Sequence, residues 1–205
     1  SEPYEPVWGK TKDVTNEVEK LCLLLRKERY DVVLVPFSND DVPHVHRVSK
    51  ETGLPVFEEF QNVQSLLDFV SRCIVLVGQR LHSAVLSAAA LTPFLSIEYH
   101  SKCWEFSESV GFQEYAVRAD NASAEELMRE FQKLIDNWDC MYDRLRKNVE
   151  IYRKQLLKFA SQILEDIESL PETKWLPPEP WKLVSFRARA RFELSVPRFS
   201  RLWNR

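Results

Sequence analysis

Apolar residues change period several times along this chain, and each change predicts an element. Val14, Val18, Leu21, Cys22 and Leu25 recur at helical spacing, so an amphipathic helix is expected over about 14–28. Asp31-Val-Val-Leu-Val-Pro36 is a short, continuously apolar, largely β-branched run, the pattern of a strand buried on both faces. Asn39-Asp40-Asp41 then supplies an N-cap, Pro43 fits a first turn, and Gly53 can close that helix in the left-handed conformation. The unit repeats. Pro55–Phe60 reads as a strand, and Val63, Leu66, Leu67 and Val70 as the buried stripe of a helix. Ile74–Val77 is a further buried strand, followed by Leu81–Leu91, a helix apolar almost all round and so expected to be covered on most sides. Phe94–Glu98 reads as the next strand, a short helix over about 101–110 closes at Gly111, and Tyr115–Arg118 gives a fifth strand.

Strands alternating with helices place the chain in the α/β class. Parallel βαβ units with right-handed crossovers make an open, doubly wound, mostly parallel sheet. From Ser123 to Leu170 the pattern is helical, too long for one ordinary helix, and a break is expected near Asn137-Trp138-Asp139. Ser123 reads as an N-cap with Glu126 completing a capping box, which explains Asn121-Ala122-Ser123 better than a glycosylation sequon does. Leu176-Pro-Pro-Glu-Pro-Trp181 is an extended linker. Beyond it Arg187, Arg189 and Arg191 alternate with apolar residues, as in a strand with one charged face. The expected divisions are 1–122, 123–170 and 171–205.

Composition narrows the functional classes. A 44% hydrophobic content with six Trp suits a packed core, and a net charge of −3 argues against a general nucleic-acid binder. The charge is uneven, because residues 171–205 carry eight Lys/Arg against three Glu. A membrane surface or an anionic polysaccharide would suit that basic tail, but a solvated strand packed on the domain is the favoured reading. Cys22, Cys73, Cys103 and Cys140 are scattered without a CxxC pair and read as reduced thiols. His44 and His46 sit two apart, which turns them to different faces of a helix and disfavours a metal pair. No metal and no cofactor is expected. No run of roughly 18–20 apolar residues occurs, no signal peptide opens the chain, and a cytoplasmic location is expected. The chain starts at Ser1 without a methionine, and Ser1–Lys10 reads like the middle of something longer.

Ligands of open α/β sheets collect beyond the carboxyl ends of the strands. Three loops belong to that edge: 37–44, 78–82 and 98–104. The middle one is richest. Gly78 follows the third strand, where a missing side chain lets a ligand approach backbone, and Arg80 and His82 are expected in the first turn of the next helix. A helix N-terminus offers unpaired N–H groups and partial positive charge, and the Arg80 fork suits carboxylate or phosphate oxygens. The alternative has equal weight on spacing alone: a buried histidine bonded to a carbonyl, and an arginine paired to a sheet-edge carboxylate. Glu98, Tyr99, His100 and Lys102 follow the fourth strand. There Lys102 either faces the same anion or is simply solvated.

Val75-Leu-Val-Gly-Gln-Arg-Leu-His82, continuing through Thr92-Pro93 to Ser96-Ile-Glu-Tyr-His-Ser-Lys102 and Gly111, resembles the C-terminal signature of polysaccharide pyruvyl transferases. Val32–Pro36 with Asp40-Asp41 is similar to that family's preceding βα unit. The resemblance implies a Rossmann-like domain, as in the C-terminal half of a GT-B-type glycosyltransferase fold. It also implies transfer of the pyruvyl group of phosphoenolpyruvate onto two hydroxyls of a sugar or glycan acceptor, as a cyclic ketal. Arg80 and His82 would be the catalytic pair, and Gly78, Tyr99 and Lys102 would join them in binding substrate. The N-terminal half that such an enzyme needs is missing from these 205 residues. Two rivals remain at this point: a glycosyltransferase half-domain gripping a nucleotide diphosphate with Arg80 and Lys102, and a non-catalytic binding domain.

Overall fold

The computed structural model describes Val14–Ser169, so the expected linker, the alternating tail strand and the opening residues lie outside the described residues. The chain divides into two units, Ser1–Gln155 and Leu156–Arg205. Strands β1 (Leu76–Gly78), β2 (Phe94–Glu98) and β3 (Ala116–Arg118) form a parallel sheet in that order, with Leu76 opposite Phe94 and Ser96 opposite Ala116. Among the described residues seven α-helices accompany it: α1 (Thr15–Lys27), α2 (Val42–Thr52), α3 (Val63–Val70), α4 (Leu81–Ala89), α5 (Ser101–Ser109), α6 (Ala124–Asp136) and α7 (Trp138–Ser169). The α/β class expected from the alternating pattern is what the chain adopts.

The sheet is smaller than expected. The two upstream strands reduce to one parallel bridge between Leu34 and Val56, in which Leu34 N–H donates to the Pro55 carbonyl and Phe57 N–H to the Leu34 carbonyl, both at 2.9 Å. Two features explain the short pairing. Pro36 and Pro55 flank it and have no N–H to extend a ladder. The run is also not buried on both faces, since Val33 is 37% exposed and Val32, Leu34 and Val35 are half-buried.

Burial of β2 at all five positions follows from helices on both sides. Phe94 joins a cluster with Leu66, Val70, Ala84, Phe112 and Met141, whereas Leu95 and Ile97 join Leu21, Leu25, Val117, Leu127 and Phe131. Successive side chains of one strand thus feed two cores. Helix α4 presents Ser83, Ala84, Ser87 and Ala88 inward, a small-residue face that lets it lie close against β1 and α5. It is not covered all round, because Val85 is 36% exposed, and it stops two residues short of the expected Leu91. Val63, expected on the buried stripe of α3, is 59% exposed.

Helix α6 begins as its sequence predicts, with Ser123 Oγ accepting the Glu126 N–H at 3.1 Å. The Glu126 carboxylate turns to Arg129 instead of completing the capping box. Ala124 N–H is taken by Glu17 Oε2 at 2.9 Å, which ties α6 to α1. Asn137 breaks the helical run, and the next residue, Trp138, donates its indole N–H to the Ile74 carbonyl at 2.9 Å. Met141 and Leu145 anchor the start of α7, while Leu156 and Phe159, in the second unit, stand 67% and 64% exposed. Among the described residues no helix is long and apolar enough to cross a membrane.

Candidate functional site

Gly78 ends β1, and a Cβ there would lie 2.2 Å from Ser83 Oγ and 2.7 Å from Ser83 Cβ. The missing side chain therefore first serves packing: it seats the opening turn of α4 directly on the strand end. Ser83 in turn sends both its N–H (3.0 Å) and its hydroxyl (2.5 Å) to the Arg80 carbonyl. Arg80 is the N-cap residue, with extended backbone at φ −76°, one position ahead of the turn in which the spacing put it. His82 is in that first turn and exposed. The buried histidine of the alternative reading is not what the chain shows.

The arginine of that reading is. Arg80 Nε lies 3.1 and 3.2 Å from the two Asp41 carboxylate oxygens, and Nη2 lies 2.5 Å from Asp41 Oδ1. Asp41 was expected to cap α2, and it does stand at that N-cap position. Its carboxylate is spent elsewhere, on the Arg80 fork and on the Phe37 N–H at 3.1 Å. Partial burial alone would push the Asp41 carboxyl up, but the Arg80 and Phe37 hydrogen bonds and the arginine's charge hold it below the usual range. The same hydrogen bond makes the Arg80 guanidinium harder to deprotonate, and Tyr99 and Asp40 add to that effect through their proximity.

Tyr99, two residues beyond Ile97 of β2, connects Arg80 to the third loop. Lys102 Nζ stands 5.6 Å from the Tyr99 ring centroid, a cation–π spacing. His100 caps α5 by accepting the Lys102 N–H at 3.1 Å. A cavity of about 1010 Å³ opens beside this edge, and Gly78, Arg80, Tyr99, Asp41 and His44 are part of its lining. His82 and Lys102 are not among its lining residues. The five residues expected to bind substrate thus divide: Gly78, Arg80 and Tyr99 line the cavity, while His82 and Lys102 stand exposed on the first turns of α4 and α5. Among the described residues no cluster of three or more His, Cys, Asp or Glu is placed to hold a metal.

Glu98 carries no binding role in the sequence reading. It is fully buried at the carboxyl end of β2, and neither carboxylate oxygen has a hydrogen-bond partner among the described residues. The nearby Ser107 hydroxyl gives its hydrogen to the Cys103 carbonyl at 3.0 Å. Burial pushes the Glu98 carboxyl up to about 7, against a smaller opposing pull from Ser107. Asp41 was legible as a charge but not as a partner. The available signal was an acid and an arginine on loops of the same sheet edge, 39 residues apart.

These features define an α/β protein with an Arg-Leu-His motif opening a helix at the carboxyl edge of a parallel sheet. The family described as polysaccharide pyruvyl transferase matches residues 2–101, just under half of the chain. The matched residues include Asp41, Gly78, Arg80, His82 and Tyr99. The chain is similar to the amylovoran biosynthesis protein AmsJ of Erwinia amylovora, 25% identical over 112 residues. That alignment covers 55% of this chain and 27% of AmsJ, so the chain spans a minor part of this relative's length. No solved structure matches the chain.

Proposed function

We propose that this chain is the donor-binding part of an enzyme of polysaccharide biosynthesis that moves the pyruvyl group of phosphoenolpyruvate onto a sugar. The observation that carries the reading is Arg80 at the N-cap of α4, on the sheet's carboxyl edge, within the segment that matches the pyruvyl transferase family. That match favours pyruvyl transfer over a nucleotide-sugar reaction on a similar sheet.

The residues suit that donor. Phosphoenolpyruvate carries about three negative charges, and the guanidinium, the free N–H groups opening α4 and the Lys102 ammonium on the neighbouring loop would offset them. Ketal formation puts a proton on the methylene carbon of the enol and two sugar oxygens on its central carbon. The bond from that carbon to the phosphate oxygen breaks, and phosphate leaves. Of the two hydroxyl protons released, one balances the new C–H bond and the other the departing phosphate. His82 is exposed at the start of α4 and can supply a proton there, or hydrogen-bond the phosphate. A Rossmann-like domain of the GT-B type, completed by an N-terminal half, is the architecture this reading implies. The acceptor would enter from that half.

Thermal shift and calorimetry on the 205-residue chain test the reading. Phosphoenolpyruvate should raise the melting temperature and bind with a measurable Kd, Arg80→Ala should abolish both effects, and nucleotide sugars should produce neither. Binding of a nucleotide sugar without binding of phosphoenolpyruvate would sink it.

A further inference from the structure

Arg80 has two hydrogen-bonding edges, and only one of them is in use. Asp41 takes the side edge formed by Nε and Nη2. The end edge, formed by Nη1 and the second Nη2 hydrogen, has no partner among the described residues, and the side chain is 42% exposed. An arginine can grip a second two-oxygen anion through that end while a first carboxylate holds its side.

Everything upstream of the guanidinium is fixed. Ser83 holds the Arg80 carbonyl with two hydrogen bonds, and Gly78 lets Ser83 sit there. That leaves the side-chain torsions, which in a half-exposed arginine sample many rotamers and lose that freedom when frozen. Asp41 is itself anchored, by the Phe37 N–H and by the turn of helix leading into α2. Its side chain is 22% exposed, so the pair is partly shielded from water.

We infer that Asp41 is a positioning residue: it locks the Arg80 guanidinium side-on, so that the free end edge is presented as a preformed clamp for a carboxylate or phosphate ligand. The inference rests on the anion-site reading of Arg80 given above, and it adds to that site a residue of the same charge sign as the ligand. Counting charges alone, an aspartate this close should repel an anion, so its removal should help binding. Orientation predicts the reverse. The sign of the effect therefore decides between a positioning residue and an internal competitor.

The test uses the 205-residue chain as wild type, Asp41→Asn, Arg80→Lys and the double variant, with phosphoenolpyruvate and inorganic phosphate as separate probes. Asp41→Asn keeps the shape and should still accept the Phe37 N–H, which circular dichroism and a melting curve check. It should weaken binding about tenfold, the scale on which an orienting partner acts on the group it holds. In the Arg80→Lys background the same substitution should change little, because no fork remains to orient. A readout independent of ligand is the Arg80 Nε–H resonance, which should be slow to exchange with water in wild type and lost or fast in Asp41→Asn.

Equal or tighter binding by Asp41→Asn overturns the inference, as does an equal loss in the Arg80→Lys background, which marks a merely structural effect. Phosphate binding that follows the expected pattern without phosphoenolpyruvate binding keeps the inference and removes the pyruvyl-transfer reading. Binding of neither probe by wild type overturns both.

Discussion

At the scale of single residues, two acids show how burial and partnership set a charge. Asp41 has an arginine and an amide and stays ionised. Glu98 has neither, and burial raises its pKa from an ordinary 4.5 to about 7. A group raised in the folded state stabilises the fold fully below its unfolded value and loses that contribution as pH rises through the folded one. Stability should therefore decline between about pH 4.5 and a little above 7, by an amount on the order of 3 kcal/mol. Glu98→Gln removes the ionisation and should flatten this slope, so that the variant is more stable than wild type at pH 8 and no better at pH 5. Urea unfolding at the two pH values measures the difference, and an unchanged slope in Glu98→Gln would assign it to other groups. Nothing in the sequence marked Glu98 as buried, because Ser-Ile-Glu-Tyr ends a strand where a solvated acid is the ordinary expectation.

At the scale of elements, the sequence showed where helices begin better than where they end. Ser123 caps α6 through its side chain as expected, and Asn62, not singled out in the sequence, caps α3 in the same way. Four of the stops share one geometry that only some residues advertise. Gly53 and Gly111 adopt φ +71° and +78° after α2 and α5, and both were legible as glycines. Arg29 and Leu91 take the same left-handed conformation after α1 and α4, at φ 66° and 58°, with the chain closing back through Tyr30 N–H to the Leu25 carbonyl and Thr92 N–H to the Ser87 carbonyl. Neither residue type signals a stop, which is why α4 was expected to reach Leu91. The cost of that conformation is measurable. No heavy atom lies within 4 Å of a Cβ placed on Gly53, so Gly53→Ala isolates the backbone cost of about 1 kcal/mol. Arg29→Gly, at an exposed position, should change stability in the opposite direction by about 0.5 kcal/mol, once the glycine's extra unfolded-state freedom is deducted. Denaturant midpoints of the two variants check the pair of signs; a loss of stability in Arg29→Gly would contradict this account.

At the scale of the molecule, the alternating pattern revealed the α/β class, the two-faced core and the order of the elements. It overstated the sheet because apolar content does not distinguish a strand from an extended segment. Val32–Val35 and Pro55–Phe57 have strand-like composition, yet proline and partial exposure hold them to one bridge. The candidate site was half legible. The Arg-Leu-His motif stood out, but a contact between Asp41 and Arg80 depends on how two βα units are placed side by side, and no local pattern encodes that. The pairing of β1, β2 and β3 in chain order has a consequence for how the molecule is made. Each strand finds its partner about 20 residues along, Leu76 with Phe94 and Ser96 with Ala116, so the nucleus closes through short loops. Pulse-labelled hydrogen exchange during refolding should show amides of β2 and β3 protected together in the earliest phase, with Leu34 and Phe57 following; the reverse order would exclude such a nucleus. During synthesis, then, the strands that carry Gly78 and Glu98 can set as soon as Arg118 has left the ribosome, and the Asp41–Arg80 latch settles onto a scaffold already formed.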